Sequence, residues 1–185
     1  KNWSDDQEAL AKFTARYLNA IRLEEDEVHE IAKDRRASNG DVSKSKCTEC
    51  PAKEHCHSTF GSVDIEGTEI GLYPFSRETA PRVLELIRND ESSKYSANQR
   101  GLLIRLLDPV MSDTESLNRH SFPNAATLPV RVSDPYFWTA FQQNYLGNYS
   151  ETERSRIQIL SGLWIEGTDE SDRAASLLKQ YLEPL

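Results

Sequence analysis

Long apolar runs are missing from this sequence. Nowhere do about 18 apolar residues follow one another, so no segment reads as a membrane-spanning helix. The opening stretch, Lys1-Asn2-Trp3-Ser4-Asp5-Asp6, lacks the apolar core of a secretory signal. Cysteine is scarce as well: three thiols cannot all pair with one another, which argues against a disulfide framework. These absences together predict a soluble, cytoplasmic chain with no membrane partner. Also missing are the Gly-x-x-x-x-Gly-Lys-Ser/Thr loop that cradles phosphates, any Gly-rich dinucleotide fingerprint, and the Gly-x-Ser-x-Gly turn that presents a nucleophilic serine. The chain therefore carries no complete catalytic apparatus, and no reaction can be assigned to it.

What is present is charge. Thirty acidic against 22 basic residues give a net charge of −8, which argues against a surface that tracks nucleic acid along its whole length. Local basic patches remain available, at Lys33–Arg36 with Lys44 and Lys46, and at Arg88 with Arg100 and Arg105. A hydrophobic share of only 37% beside 28% charged residues suits helices with broad solvated faces.

Periodicity supports that reading. Residues 4–36 read as a long helix, breakable near Leu23, with Ser4 and Gln7 spaced as a capping box. Leu10, Phe13, Tyr17, Ile21, Val28 and Ile31 form its apolar stripe, and Asn39-Gly40 ends it. A polar loop leads to residue 46. Two short alternating stretches, Val63–Ile65 and Glu69–Tyr73, flank Glu66-Gly67-Thr68 and predict one β-hairpin.

Helices resume from about Ser76 to Asn89, with Pro81 in the first turn. Another follows Ser96 and carries Leu102, Leu103, Leu106, Leu107 and Val110. Residues 112–132 read as a helical turn and a proline-containing loop. Ser133-Asp134-Pro135 starts a helix that Gly147 stops, and Ser150-Glu151-Thr152-Glu153 is a capping box for the next. A last helix lies around Ser171–Leu182. The fold class expected is mainly α, a helical bundle with a small zinc knuckle and one short β-hairpin. Its segments are 1–46 (long helix and polar loop), 47–75 (knuckle and hairpin) and 76–185 (helical domain).

The chemistry concentrates in Cys47-Thr48-Glu49-Cys50-Pro51-Ala52-Lys53-Glu54-His55-Cys56-His57, which holds all three cysteines. A Cys-x-x-Cys pair places two thiolates on one ion. Cys56 can return on a helical turn as a third ligand, and a histidine completes a closed tetrahedral set. His57 is favoured as that fourth ligand, with His55 as the alternative. Zinc is the leading ion, an iron–sulfur cluster is the rival, and cysteines that merely pack are the bland alternative. A loop this short and polar cannot order itself by apolar burial, so ligation would supply the ordering energy and the role would be structural. His29 and His120 stand at no ligand spacing and read as surface or capping residues. The aromatic run Tyr136-Phe137-Trp138 with Phe141 and Tyr145 reads as a core or protein-contacting face; it lacks the interleaved cations of a base-stacking platform.

The order Cys-x-x-Cys-Pro, Cys-His-x-x-Phe-Gly, Ile-Gly-Leu-Tyr-Pro-Phe, and then an Asn-x-Arg helix start before a Leu-rich stretch covers roughly residues 47–110. It resembles part of certain large prokaryotic P-loop ATPases, AAA+-like or STAND-like, of phage-defence and restriction-type systems. The resemblance implies a helical lid behind a nucleotide-binding core. It also implies that Arg100, at a helix start, reaches the nucleotide phosphates; the family pattern has Pro where this chain has Gln99. The function expected is thus a non-catalytic, zinc-stabilised helical region of a larger defence-associated ATPase. It would act as lid or docking scaffold, with other domains or subunits of the assembly as partners. The alternative is an independent zinc-dependent nucleic-acid-binding module.

Overall fold

A computed structural model of the chain describes residues 3–38, 44–90, 94–119, 121–124, 128, 135–165, 167 and 169–177. Its element order bears out the mainly helical class with one short antiparallel hairpin. Two compact units are present, Lys1–Pro81 and Arg82–Leu185, and the segments 1–46 and 47–75 both fall in the first.

In the first unit a 3₁₀ turn, Trp3–Asp5, precedes helix α1, Gln7–Arg22. The cap is Asp6, whose carboxylate accepts from the Ala9 N–H at 3.1 Å; the Ser4/Gln7 box expected from spacing gives way to it, Ser4 lying in the 3₁₀ turn. The long helix breaks at Leu23, whose extended backbone (ψ 151°) ends α1, and resumes as α2, Glu25–Ser38. Asn39-Gly40, the expected end of that helix, lie outside the described residues.

The buried face of α1 also differs from the expected stripe. Leu10, Ala11, Thr14, Ala15, Leu18 and Asn19 are buried, whereas Ile21 is 42% exposed. Small side chains explain this. Ala11 and Ala15 let the helix approach Val63, Ile65, Ile70 and Leu72 of the hairpin closely, and together they form one core cluster. Phe13 instead packs edge-on against Trp3, with ring centroids 5.4 Å apart.

The hairpin pairs β1, Ser62–Ile65, with β2, Thr68–Gly71, in the register Ser62↔Gly71, Val63↔Ile70, Asp64↔Glu69 and Ile65↔Thr68. Its two-residue turn places Glu66 at φ 56° and Gly67 at φ 86°, the doubly left-handed geometry that matches strand twist. Alternation gives Val63, Ile65 and Ile70 to α1. It leaves Glu69 and Gly71 on the opposite face of β2. Helix α3, Lys53–Phe60, contacts β2.

In the second unit α4, Thr79–Asn89, begins just before the boundary and keeps Pro81 in its first turn; Val83, Leu84 and Ile87 are buried. Asn98 caps the next helix by accepting from the Gly101 N–H at 3.0 Å. A Cβ at Gly101 would lie 2.1 Å from the Ser96 carbonyl oxygen, so this turn admits only glycine. Helix α5, Gln99–Leu102, widens into a π-helical stretch, Leu103–Leu107, before α6, Asp108–Ser112. The widening precedes Pro109, whose ring would otherwise press on the carbonyl one turn back.

A short α7, Thr114–Asn118, follows. Helix α8, Pro135–Tyr145, has Pro135 as its first residue, as expected, while the expected caps Ser133 and Asp134 lie outside the described residues. Helix α9, Glu151–Leu163, starts with the predicted capping box fully formed between Ser150 and Glu153. Helix α10, Glu170–Leu177, covers the described part of the last expected helix. Trp138, Phe141, Leu146, Ile165, Ala174 and Leu177 make the core cluster beneath these helices.

Candidate metal centre

The knuckle is a chain of tight turns. The Thr48 N–H donates to the Ser45 carbonyl (3.2 Å), the Cys50 N–H to that of Cys47 (3.4 Å) and the Lys53 N–H to that of Cys50 (3.1 Å). These turns end in α3, which carries Cys56 and His57 on consecutive positions. Cys47 is buried, Cys56 half-buried and Cys50 exposed. His55 is exposed, while the His57 side chain keeps only 10% of its surface.

His57 is held on one side. Its Nδ1 faces the Glu69 carboxylate at 3.2 Å, and that carboxylate is itself fixed by Ser62 Oγ (2.7 Å) and Lys53 Nζ (3.2 Å). Hydrogen bonds from Ser62, Lys53 and His57, in that order, hold the Glu69 carboxyl far below the ordinary range, at about 2. Glu69 is therefore an anion throughout physiological pH, and Nδ1 carries the proton toward it. The remaining nitrogen, Nε2, is buried and has no hydrogen-bond partner. A buried imidazole nitrogen without a partner is costly unless something outside the chain fills the position.

Gly71 explains how that nitrogen comes so close to the strand. A Cβ there would sit 2.8 Å from His57 Cδ2 and Nε2 and 3.5 Å from Cys56 Sγ. A residue without a side chain lets the imidazole approach the backbone this closely, while the Cys56 thiol stands at ordinary contact distance. The same peptide serves the other cysteine, because the Gly71 N–H donates to Cys47 Sγ at 3.4 Å. Burial pushes the Cys56 thiol above its ordinary value. The Arg22 guanidinium and the Tyr73 backbone N–H oppose that rise, and Cys47 and Cys50 are near enough to reinforce it. Arg22, the last residue of α1, donates to Cys47 Sγ (3.6 Å), to the Gly71 carbonyl (2.9 Å) and to the Tyr73 carbonyl.

Among the described residues, no three or more His, Cys, Asp or Glu side chains stand grouped as they would around a metal ion. Cys56 and His57 lie beside Gly71, and Cys47 Sγ accepts from its N–H, but with Cys50 exposed the four side chains are not drawn together into a ligand shell. Spacing alone singled out the cysteines and His57. It could not single out Glu69, Gly71 and Arg22, whose roles depend on strand alternation and on α1 packing. Of these three, Glu69 and Gly71 fall in a stretch that carries a strand pattern, Glu69–Tyr73, and Gly71 also in part of the motif order, Ile70-Gly71-Leu72-Tyr73.

Arg100 belongs to the second unit, exposed in the first turn of α5. His29 is exposed beside Glu25 (3.7 Å), and His120 lies outside the described residues. The expected patch at Lys44 and Lys46 is occupied by acids, Lys44 pairing with Glu30 at 2.6 Å and Lys46 with Glu27 at 2.8 Å. In the aromatic run Trp138 and Phe141 are buried and Tyr136 is 89% exposed. Comparison with family models, with curated proteins and with solved structures gave no match.

Proposed function

We propose that this chain is a non-catalytic helical scaffold whose first unit is ordered by one zinc ion bound to Cys47, Cys50, Cys56 and His57. The observation that carries this reading is the His57 imidazole. One nitrogen is committed to an anionic carboxylate, and the other is buried, unpartnered and next to Cys56 Sγ across Gly71. A ligating histidine wants that arrangement, since a carboxylate on the far nitrogen fixes the tautomer and raises the basicity of the ligating one. Cys50, exposed here, would close over the ion as the fourth ligand. Three thiolates and an imidazole complete a tetrahedral set with no open position for substrate, which makes the role structural. Zinc ligation here would order the turn between α2 and α3 and fix the hairpin face on which His57 rests.

Within the kind of parent ATPase that the motif order resembles, such a unit acts as a lid element or a docking surface for neighbouring domains. Arg100 is then the residue that approaches nucleotide phosphates. The nucleic-acid reading is the weaker one, because the cations around the knuckle already have partners: Lys53 with Glu69, Lys44 with Glu30, Lys46 with Glu27, and Arg22 with carbonyls and a sulfur.

Elemental analysis of protein purified without chelator tests the zinc assignment. One zinc per chain and a colourless solution are expected, and metal-free or iron-coloured material would refute it. A Walker A segment upstream in the full gene product, together with slower ATP hydrolysis in its Arg100→Ala variant, tests the parentage. Salt-dependent binding of the isolated chain to DNA or RNA would overturn the choice against nucleic acid.

A further inference from the structure

We infer that Arg22 is the outer-sphere positioning residue of the Cys/His centre, tying occupancy of the metal site to the docking of α1. The inference rests on the zinc reading above. Its basis is one guanidinium with three partners distant in sequence: Cys47 Sγ, the Gly71 carbonyl and the Tyr73 carbonyl. These three sit around the candidate centre, since the Gly71 N–H also donates to Cys47 Sγ and the Tyr73 N–H supports Cys56. Arg22 therefore holds the carbonyls of two residues whose own N–H groups face the cysteine sulfurs.

Charge gives the grip a purpose. Three thiolates, one neutral imidazole and one dication sum to a single net negative charge. In a half-buried setting that charge needs a counter-ion, because desolvated charge is costly when unpaired. Among the described residues the guanidinium donating to a cysteine sulfur is that of Arg22. Its planar fork satisfies sulfur and two carbonyls at once, which a lysine ammonium on a flexible stem does not do with the same geometry. The position also suits a cation, because Arg22 stands in the last turn of α1, where the helix dipole is negative. With the thiolates bound to zinc, Arg22 gains a charged partner and the end of α1 is fastened to the hairpin exit. With the metal gone, Arg22 keeps its two carbonyl partners but loses the metal-bound sulfur, and the fastening weakens.

Arg22→Met and Arg22→Lys test this in the full chain, with zinc affinity measured by chelator competition. Arg22→Met is expected to bind zinc about 10- to 100-fold more weakly, the usual consequence of losing an outer-sphere partner, and Arg22→Lys should fall between it and the parent. A merely structural role would not alter the metal's electronic spectrum, so the cobalt(II)-substituted protein supplies the second readout. Loss of the donor to Cys47 Sγ should move the thiolate-to-cobalt charge-transfer band to lower energy, while the ligand-field bands stay tetrahedral. Should Arg22→Met fail to fold, Arg22→Lys carries the same two readouts. Parent-like affinity with an unshifted band in either folded variant overturns the inference and leaves the zinc assignment standing. Failure of the parent protein to bind zinc overturns both.

Discussion

The two units hold themselves together by different means. In the second, the core cluster is aromatic and branched: Trp138, Phe141, Leu146, Ile165 and Leu177, with Phe137, Tyr149 and Ile157 packed against it. Its helices are closed by local devices, Asn98 on Gly101 and the reciprocal box of Ser150 and Glu153. In the first unit, α1 meets the hairpin through two alanines and four aliphatic side chains. Leu10, Leu18 and Phe75 are buried there too, and polar ties long in sequence converge on the turns, with Arg22 reaching Cys47, Gly71 and Tyr73 and Asn19 donating to the Lys44 carbonyl at 2.9 Å. Apolar burial is non-directional and tolerates rearrangement, whereas the polar ties work only at one geometry. A unit that depends on the second kind as well would gain from the proposed ion, which would fix that geometry.

The largest expected effect follows directly. If the first unit holds zinc as proposed, removing it with a strong chelator should abolish cooperative unfolding of that unit and collapse amide protection along Leu10–Leu18, with the second unit's protection unchanged. Apparent binding free energies for structural zinc run to about 10–16 kcal/mol, enough to decide whether a small unit folds. Equal loss of protection in both units, read by hydrogen exchange, would erase the distinction between them.

Trp138→Ala probes the other side. The ring is buried and lies 5.3 Å, centroid to centroid, from that of Phe141. Truncation there should cost about 3–5 kcal/mol, measured as a lower denaturation midpoint for the second unit at constant zinc stoichiometry. A fall in zinc affinity in this variant would show that the units do not divide the work as described.

Gly71→Ala comes next and sharpens the account of the first unit. The added methyl must displace the His57 ring, which cannot yield easily because Glu69 holds its far side. We expect about tenfold weaker zinc binding and about 1–3 kcal/mol of overpacking strain. Unaltered affinity would mean that His57 is not a ligand.

The same contrast governs what the sequence could reveal. Local devices were legible: the Ser150/Glu153 box, the Glu66-Gly67 turn and the helix start at Pro135 each depend on residues a few positions apart. The buried face of α1 was not, because periodicity weights large apolar residues such as Phe13, Tyr17 and Ile21. Packing against a hairpin instead selects small ones that permit close approach, Ala11 and Ala15. Asp6 was missed as a cap because Ser4 and Gln7 fit an equally good pattern two residues earlier. Arg22, Glu69 and Gly71 were invisible for a deeper reason. Arg22 and Gly71 are separated by 49 positions, and nothing in either neighbourhood signals the other.

Ser150→Ala is the smallest change and the finest test of this division. Ser150 Oγ accepts from the Glu153 N–H at 3.3 Å, while the Glu153 carboxylate accepts from the Ser150 N–H at 2.8 Å and from its hydroxyl at 2.7 Å. These bonds to Ser150 draw the Glu153 carboxyl below its ordinary value. Loss of the serine oxygen should remove one satisfied helix-start donor and cost about 1 kcal/mol. Because the device is local, the loss should appear only as faster hydrogen exchange in the first turn of α9 and a slightly lower melting point for the second unit. Zinc affinity and protection along α1 should not change. A cap mutation that loosened the knuckle would mean the polar ties of the first unit extend into the second, and the contrast between the two would have to be redrawn around that connection.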